Sequence, residues 1–531
     1  EEGDVIVHNH PYLGASHSPD IAVAVPIFHH GELLGFAAVT AHVLDVGGSF
    51  PGINADAFDV FAEAKLYNGL RWYRRGELNV DVDRMIFDNV RTETMNRGDM
   101  NAMLAACELG RERFLRLVQR YGADTVMSAA YDWMDYSERM LRAEIAKIPD
   151  GEYGPIVGWL DDDARNRGVR LRVETKVVVS GDEITIDLTG SNPEVPTGFN
   201  VPFEGSLLVG AYYAVRTILL DEVTFPEHVP QNDGVFRPVQ VIAPKGTIFN
   251  PTFPRACFSR FTQVQRVVDN TILALADALP DKVTAGNSAG IHFCAYSGFD
   301  EKAGDLEVNE GSYGGRHGKD AMDSVDNLMA NTRNNPIEEL DMRFPVRCDQ
   351  YELRPEPAAP GRWRGGIGII RRNRFLVDGV YSCEGDRQTD APVGIFGGWD
   401  GLVASCRKNP DTSREEHLDA KVTGIPFAAG EFIEFREPNA AGYGDPLDRP
   451  AEQVREDVLD DFTSIELARD AYGVVFADER TLEIDAEATE KLRAELRRSP
   501  RGRSLTEYFE GRAPIENKPV SVAGNREFGI E

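Results

Sequence analysis

The sequence lacks any run that could cross a membrane as a helix. A span needs about 20 consecutive apolar residues, and the nearest approach, SLLVGAYYAVRTILL from Ser206 to Leu220, is broken by Arg216. Cysteine is scarce. The six residues Cys107, Cys257, Cys294, Cys348, Cys383 and Cys406 lie far apart and form no CxxC pair. That argues against a disulfide framework and predicts reduced, mostly buried thiols in a cytoplasmic protein. Positive charge is in short supply, since 57 Lys and Arg against 87 Asp and Glu give a formal charge of −30. Nucleic acid and anionic membrane both need clustered Lys and Arg, so neither is an expected partner. No phosphate-binding loop is present: Gly318-Lys319 is followed by Asp320 rather than Ser or Thr, and no GxGxxG follows a strand. A G-x-S-x-G nucleophile elbow is also missing. The first residues, EEGDVIV, carry no Met and no signal-like pattern. GDVIVHN reads as a strand already under way, so an upstream part is expected.

What remains is a large soluble type of composition, with 42% hydrophobic and 27% charged residues over 531 positions. Such a length predicts about two to four domains or lobes. Val5–Val7, Ile21–Phe28 and Leu33–Val43 are short apolar runs bounded by turn residues, which predicts buried strands, with His29 and His30 at a hairpin tip. Residues 97–147 show helical spacing in two successive segments. Gly122 is a plausible stop, Asp124 a plausible N-cap, and an antiparallel helical pair is expected. RLRVETKVVV and EITIDLTG alternate on either side of Ser180-Gly181-Asp182 and predict a hairpin. From Gly190 to about Gly444 the richness in Gly, Pro and Asn predicts β-structure with long ordered loops, and helical periods return after Pro446. From about Arg501 an extended or poorly ordered tail is expected. The fold class expected is α+β: a β-rich, multi-lobed chain. Its expected divisions are a metal-binding N-terminal lobe over 1–96, a helical pair over 97–150, a β-rich catalytic lobe over 151–446 and a helical region over 447–531.

The chain has ten histidines, and six of them (His8, His10, His17, His29, His30 and His42) fall in the first 42 residues. His17-x-x-Asp20, flanking a Ser-Pro turn, followed by His42, offers two imidazoles and a carboxylate. That donor set suits Zn, Mn, Fe or Co and leaves positions open for water or substrate. Asp45 is a further ligand candidate or an acceptor for an imidazole N–H, and His10 is another candidate. Spacing alone leaves a second reading open, in which these are loop histidines with satisfied hydrogen bonds. The polar glycine loops, such as Gly190–Ser206 and Glu307–Asp320, can line a pocket or simply make tight β-connections. The aromatics near Trp363 and Trp399 are expected to pack rather than to bind substrate.

Taken together, GDVIVHNHPYLGASHSPDIAVAVPIF, AHVLDVGG, PTGFNVPFEG, VTAGNSAG, EGSYGGR, NTRNNPIEE, YELRPEPAAPGRWRGGIG and AAGYGDP resemble the hydantoinase B/5-oxoprolinase family, which includes large subunits of acetone and acetophenone carboxylases. The resemblance runs to about Gly473. It implies a subunit of an ATP-dependent cyclic-amide hydrolase or of a ketone carboxylase. A separate hydantoinase A-type subunit is expected to bind ATP and phosphorylate a substrate oxygen, in a hetero-oligomer. The resemblance also implies that His17, Asp20 and His42 hold a divalent metal, Mn, Zn or Fe. Asp45 or a nearby Glu is then expected to move a proton. Asn9-His10-Pro11-Tyr12 stands where many relatives read NDPY, which makes His10 a candidate for altering the site. A non-catalytic scaffold paralogue is the alternative, and the intact His17, Asp20 and His42 argue against it.

Overall fold

The computed structural model describes residues 1–50, 52–226, 228–290, 292–298, 305–330, 332–498 and 504–510. Five strands near the N-terminus form the first sheet: β1 (Val5–His8), β2 (Asp20–His29), β3 (Glu32–His42), β4 (Leu70–Arg74) and β5 (Glu77–Leu78). Their order is β3-β2-β1-β4-β5, antiparallel throughout. Ile21, Val23 and Val25 alternate to one face. They pack there with Met100, Met103 and Cys107 of the helix α3 (Glu93–Tyr121), after the shorter helices α1 (Val60–Glu63) and α2 (Val80–Phe87). β3 is the sheet's edge and is only half covered, so the expectation that all three N-terminal runs are buried holds for β1 and β2 alone.

The predicted second helix is α4 (Ala123–Ile145). It starts two residues earlier than expected, because Gly122 rather than Asp124 takes the N-cap position and the single-residue link needs its φ of 85°. The two helices touch each other little. α3 covers β2 and β3, whereas α4 packs on residues 233–236 and places Leu141 and Ile145 in a different core. An antiparallel hairpin would pair their apolar stripes with each other; here each stripe is used on its own layer.

The second sheet is β6 (Gly151–Leu160), β7 (Leu171–Ser180), β8 (Glu183–Asp187) and β9 (Val239–Ile242), with the predicted β7–β8 hairpin turning at Ser180–Asp182. Two helices that the sequence reading missed cover it: α5 (Leu208–Leu219), entered through a π-turn at Phe203–Leu207, and α6 (Phe261–Ala274). α6 is buried on every side although it carries Gln265, Arg266, Asp269 and Asn270. Several of its polar groups are answered inside. Asp269 meets Arg387 at 3.0 Å, Arg266 Nη2 donates to the Trp159 carbonyl, and Asn270 donates to the Val173 carbonyl. Its apolar stripe of Val264, Val267, Val268 and Ile272 joins the core at helical spacing, and its polar face is buried as well.

The third sheet runs β11-β10-β14-β17 and the fourth β12-β13-β18-β15-β16. They contain β10 (Phe293–Ser297), β11 (Asp305–Val308), β12 (Val346–Leu353), β13 (Ile369–Phe375), β14 (Gly379–Glu384), β15 (Ser405–Lys408), β16 (Glu416–Leu418), β17 (Lys421–Phe427) and β18 (Phe432–Arg436). Cys294, Tyr381, Cys383, Ile433 and Phe435 fill the space between them. The short helix α7 (Ile337–Arg343) precedes β12. Trp363, with Tyr443, and Trp399 are packing residues, as expected.

The C-terminal region holds α8 (Ala451–Leu459), α9 (Ile465–Asp470), the hairpin β19 (Phe476–Asp478) and β20 (Glu483–Ile484), α10 (Ala486–Leu496) and α11 (Leu505–Phe509). α11 docks on Trp399 through Tyr508, which corrects the expected loose tail at that point, while the rest of that tail lies outside the described residues. The architecture is α+β. All six cysteines are free thiols and only Cys348 is not fully buried. No helix among the described residues is long and apolar enough to cross a membrane.

Candidate functional site

Strand register assembles the site. β2 begins at Asp20 and β3 ends at His42, and the two residues face each other directly across the ladder. Opposed residues share a sheet face, with Cβ atoms about 5 Å apart. Asp20 and His42 therefore both point away from the face that α3 covers. His17 lies in the turn that leads into β2, where the Asp20 N–H bonds to its carbonyl. Its ring centroid lies 5.1 Å from that of His42, and its Nδ1 is 3.0 Å from Asp20 Oδ2. The three residues that the sequence grouped are thus brought together.

They lie on the wall of a cavity of about 460 Å³. His17 is buried against Phe258, with ring centroids 5.4 Å apart. His42 is surrounded by protein, yet much of its surface is open, because that surface faces the cavity. Burial and the nearby Arg260 guanidinium push the His17 imidazole down to about 3, so it is neutral at physiological pH. Burial lowers the His42 imidazole as well. Burial opposes ionisation of Asp20, but His17, Arg260 and His42 outweigh it and hold the carboxyl well below its usual range. With Nδ1–H of His17 directed at Asp20, Nε2 keeps its lone pair.

Two neutral imidazoles and an ionised carboxylate are a fitting donor set for a divalent metal. As the side chains stand, no three His, Cys, Asp or Glu among the described residues converge on one point at ligand distance. The reason lies in the partners of Asp20. It is engaged by His17, by the Ser16 hydroxyl and, at 3.6 Å, by Arg260 Nη2. Coordination by all three residues requires Asp20 to turn from those partners.

The two candidate proton carriers are placed differently. Asp45 borders the cavity, but both its oxygens are occupied: Oδ1 accepts from Gly47 N–H, and Oδ2 from Arg91 N–H, with the Arg91 guanidinium at 3.2 Å. It is a structural anchor for the loop after β3. His10 does not line the cavity. Its Nδ1 caps the turn Pro11–Leu13 by accepting from Tyr12 N–H, and its ring stacks on Phe253.

Three cavity residues escaped the sequence reading. Arg260 stands just before α6 and supplies the charge beside Asp20. Glu63, at the end of α1, accepts from the N–H groups of Cys257 and Phe258 through Oε1, and its buried Oε2 has no partner among the described residues. Burial pushes its carboxyl up to about 8, although those two N–H groups oppose the shift. Glu384, at the end of β14, also has a buried Oε2 with no partner among the described residues, and burial raises its carboxyl against the nearby Ser259 hydroxyl and the charges of Arg260 and Lys421. Only proximity to the histidine cluster could have flagged Glu63. Arg260 and Glu384 are far away in sequence and carried no signal.

The family model for hydantoinase B/oxoprolinase matches residues 1–446. A candidate B-type subunit of a D-/L-hydantoinase, from Pseudomonas sp. strain NS671, is 42% identical over 502 residues, covering 93% of this chain and 84% of that protein. Among solved structures, the ATP-dependent caprolactamase from Pseudomonas jessenii superposes with a TM-score of 0.81 at 27% identity, over 93% of this chain and 86% of that one. A nucleotide-free acetone carboxylase gives a TM-score of 0.83 at 19% identity, over 99% of this chain and 75% of that one, a likeness of fold. The sheet-one hairpin that carries the histidines, the layers behind it and the glycine loops thus occur in a chain that belongs to the hydantoinase B/oxoprolinase family.

Proposed function

We propose that this chain is the metal-bearing subunit of an ATP-dependent cyclic-amide hydrolase, and that it works with a separate hydantoinase A-type, ATP-binding subunit. The observation that carries this reading is the placement of His17, Asp20 and His42, by strand register, on the wall of one cavity. The hydantoinase and caprolactamase relatives favour hydrolysis over carboxylation, because acetone carboxylase is similar in fold only. The absence of a phosphate loop in the sequence fits a nucleotide held by the partner.

In this reading the partner transfers the γ-phosphoryl group of ATP to the amide oxygen. Water then adds at the activated carbon, the ring C–N bond breaks to leave an acyl phosphate, and a second water hydrolyses that to the carboxylate and phosphate. The net change is cyclic amide, ATP and two waters to open-chain product, ADP and phosphate. A divalent metal (Mn, Zn or Fe) held by His17, Asp20 and His42 would supply Lewis acidity there. The chain's own groups do the rest. Arg260, beside Asp20, offsets negative charge on the reacting oxygens. Glu63, still largely protonated at neutral pH, stands in the cavity wall as a buried neutral acid.

The test is metal content by mass spectrometry together with ATP-dependent ring opening, on the complex with its partner. Wild type is expected to hold about one divalent metal per chain. His17→Ala and His42→Ala are expected to lose the metal and at least ~10³-fold of the rate, by loss of charge stabilisation. A well-folded, active wild-type complex without metal would overturn this reading.

A further inference from the structure

Between Cys107 of α3 and Ser137 of α4 only Val118 is buried, although the stretch is almost wholly helical. The first half of α3 lies on β2 and β3, and the last half of α4 enters the core through Leu141 and Ile145. The halves that meet at Gly122 are left on the surface. Each carries a seam of the same spacing. On α3 it is Leu109, Arg113, Arg116 and Arg120, and on α4 it is Asp124, Ser128, Tyr131 and Asp135. Steps of four, three and four residues stay on one helix face, and all eight positions are exposed. Leu117 and Tyr121 flank the first seam, and Asp132 and Tyr136 flank the second. The Leu and both Tyr side chains are about half open. The two seams differ in charge. Residues 111–120 hold four arginines and one glutamate, a net charge of +3. Residues 123–137 hold three aspartates and no Lys or Arg, a net charge of −3.

We propose that this face docks a second copy of the same chain about a two-fold axis, with the basic seam of each α3 lying against the acidic seam of the other copy's α4. A two-fold contact presents one patch from both copies, so the patch must complement itself. This one does, because it holds both signs in equal amount. Elsewhere the chain repels its own kind, with a formal charge of −30. A self-contact therefore needs a local basic segment, and residues 111–120 supply one. The charges are uncommitted. Arg116 meets Glu112 and Asp135 meets Arg237 in exposed pairs that are worth little. Arg113, Arg120, Asp124 and Asp132 have no ion-pair partner among the described residues. The chain does not join the two seams itself, since α3 and α4 touch little on either side of Gly122. Matched rows of side chains let two helices interlock at a shallow angle. Leu109, Leu117, Tyr121, Tyr131 and Tyr136 supply the apolar and aromatic surface that such a contact buries. The inference is independent of the hydrolase reading.

The test uses the full chain in complex with its ATP-binding partner. Light scattering and sedimentation read how many copies of this chain each particle holds. Wild type is expected to hold two, and the pair should weaken as salt rises from about 0.05 to 1 M. One variant carries Arg113→Glu, Arg116→Glu and Arg120→Glu, and another carries Asp124→Arg and Asp132→Arg. Each should weaken self-association at least ~100-fold, because like charges then meet across the two-fold axis. An equimolar mixture of the two variants should pair again, since opposite charges then meet at both contacts. A chain carrying both sets should pair with itself, which a folding defect in either set would not allow. Wild type with one copy, or with two copies that neither variant separates, overturns the inference. So does failure of both the mixture and the doubly changed chain to pair, whereas pairing of either one supports it. Release of the ATP-binding partner by either variant, with two copies retained, assigns the face to that partner and overturns the inference as well.

Discussion

Arg260 holds a cation 3.6 Å from a carboxylate that is also a candidate metal ligand. The two roles compete, because a metal and a guanidinium both draw on Asp20. Removing the guanidinium should therefore leave metal content equal to or above that of wild type, while kcat falls ~10²–10³-fold through loss of charge stabilisation at the reacting oxygen. Arg260→Met, with Arg260→Lys as a partial rescue, tests this by parallel metal analysis and steady-state kinetics. Unchanged kcat in Arg260→Met would remove the residue from the chemistry. Glu63 makes a prediction about pH. Its folded-state carboxyl, at about 8, lies above the ordinary carboxylate value, so the folded protein favours the protonated form. The associated stability is fully present below about pH 4.5 and is lost as pH rises through 8. Glu63→Gln keeps a neutral group and an Oε1 acceptor for Cys257 and Phe258. Thermal melts should show the variant gaining on wild type as pH rises from about 5 to 9, and a constant difference would contradict the buried, protonated state. Sequence alone could group His17, Asp20 and His42, because short spacing and an imidazole cluster are local signals. It could not separate Asp45 from Glu63. Asp45 is paired with Arg91, 46 residues away, and Glu63 is left facing the cavity by contacts with Cys257 and Phe258.

At the scale of elements, the β2–β3 hairpin converts register into chemistry. Side chains alternate faces with a period of two, so a slip of one residue moves position 42 to the opposite face. β3 is an edge strand, and a change in it disturbs only one ladder. Deleting Thr40, which pairs with Ala22, should carry the His42 imidazole to the α3 side and abolish metal binding. The far-UV circular dichroism spectrum should stay close to that of wild type. Retained metal would mean that the hairpin absorbs the deletion in a bulge, as it already does at Ile27/Phe28. The hairpins β2–β3 and β7–β8 were legible because alternation and turn residues are written locally. α6 was not. It trades its polar side chains against Arg387, Trp159 and Val173, partners between 97 and 118 residues distant, so a polar face that reads as solvent-facing is buried by contacts the sequence does not locate. The same long-range pairing makes α6 sensitive to single changes, since an unpaired buried charge costs about 3–5 kcal/mol.

For the whole molecule, the cavity is a meeting place and not the property of one lobe. Its lining comes from the β2–β3 hairpin, α1, α5, the start of α6, the β10–β11 pair and the end of β14. A metal at His17, Asp20 and His42 would therefore bind only where these layers are already assembled, next to Phe258 and Arg260. A ligand that binds the folded state alone stabilises it by mass action, by about 2.7 kcal/mol when present at 100 times its dissociation constant. For a chain of this size that amounts to a shift on the order of 2–5 °C. Exhaustive chelation should lower the Tm of the wild-type protein by such an amount and move the main calorimetric transition as a unit. His42→Ala should begin at the lower Tm and ignore the chelator, and readdition of the metal should restore only the wild type. A chelator effect confined to a small, separate low-temperature transition would instead place the metal in an independently melting N-terminal lobe. That result would contradict a site built by the assembled layers, because the contributions of Phe258, Arg260 and Glu384 would then be dispensable for holding the metal.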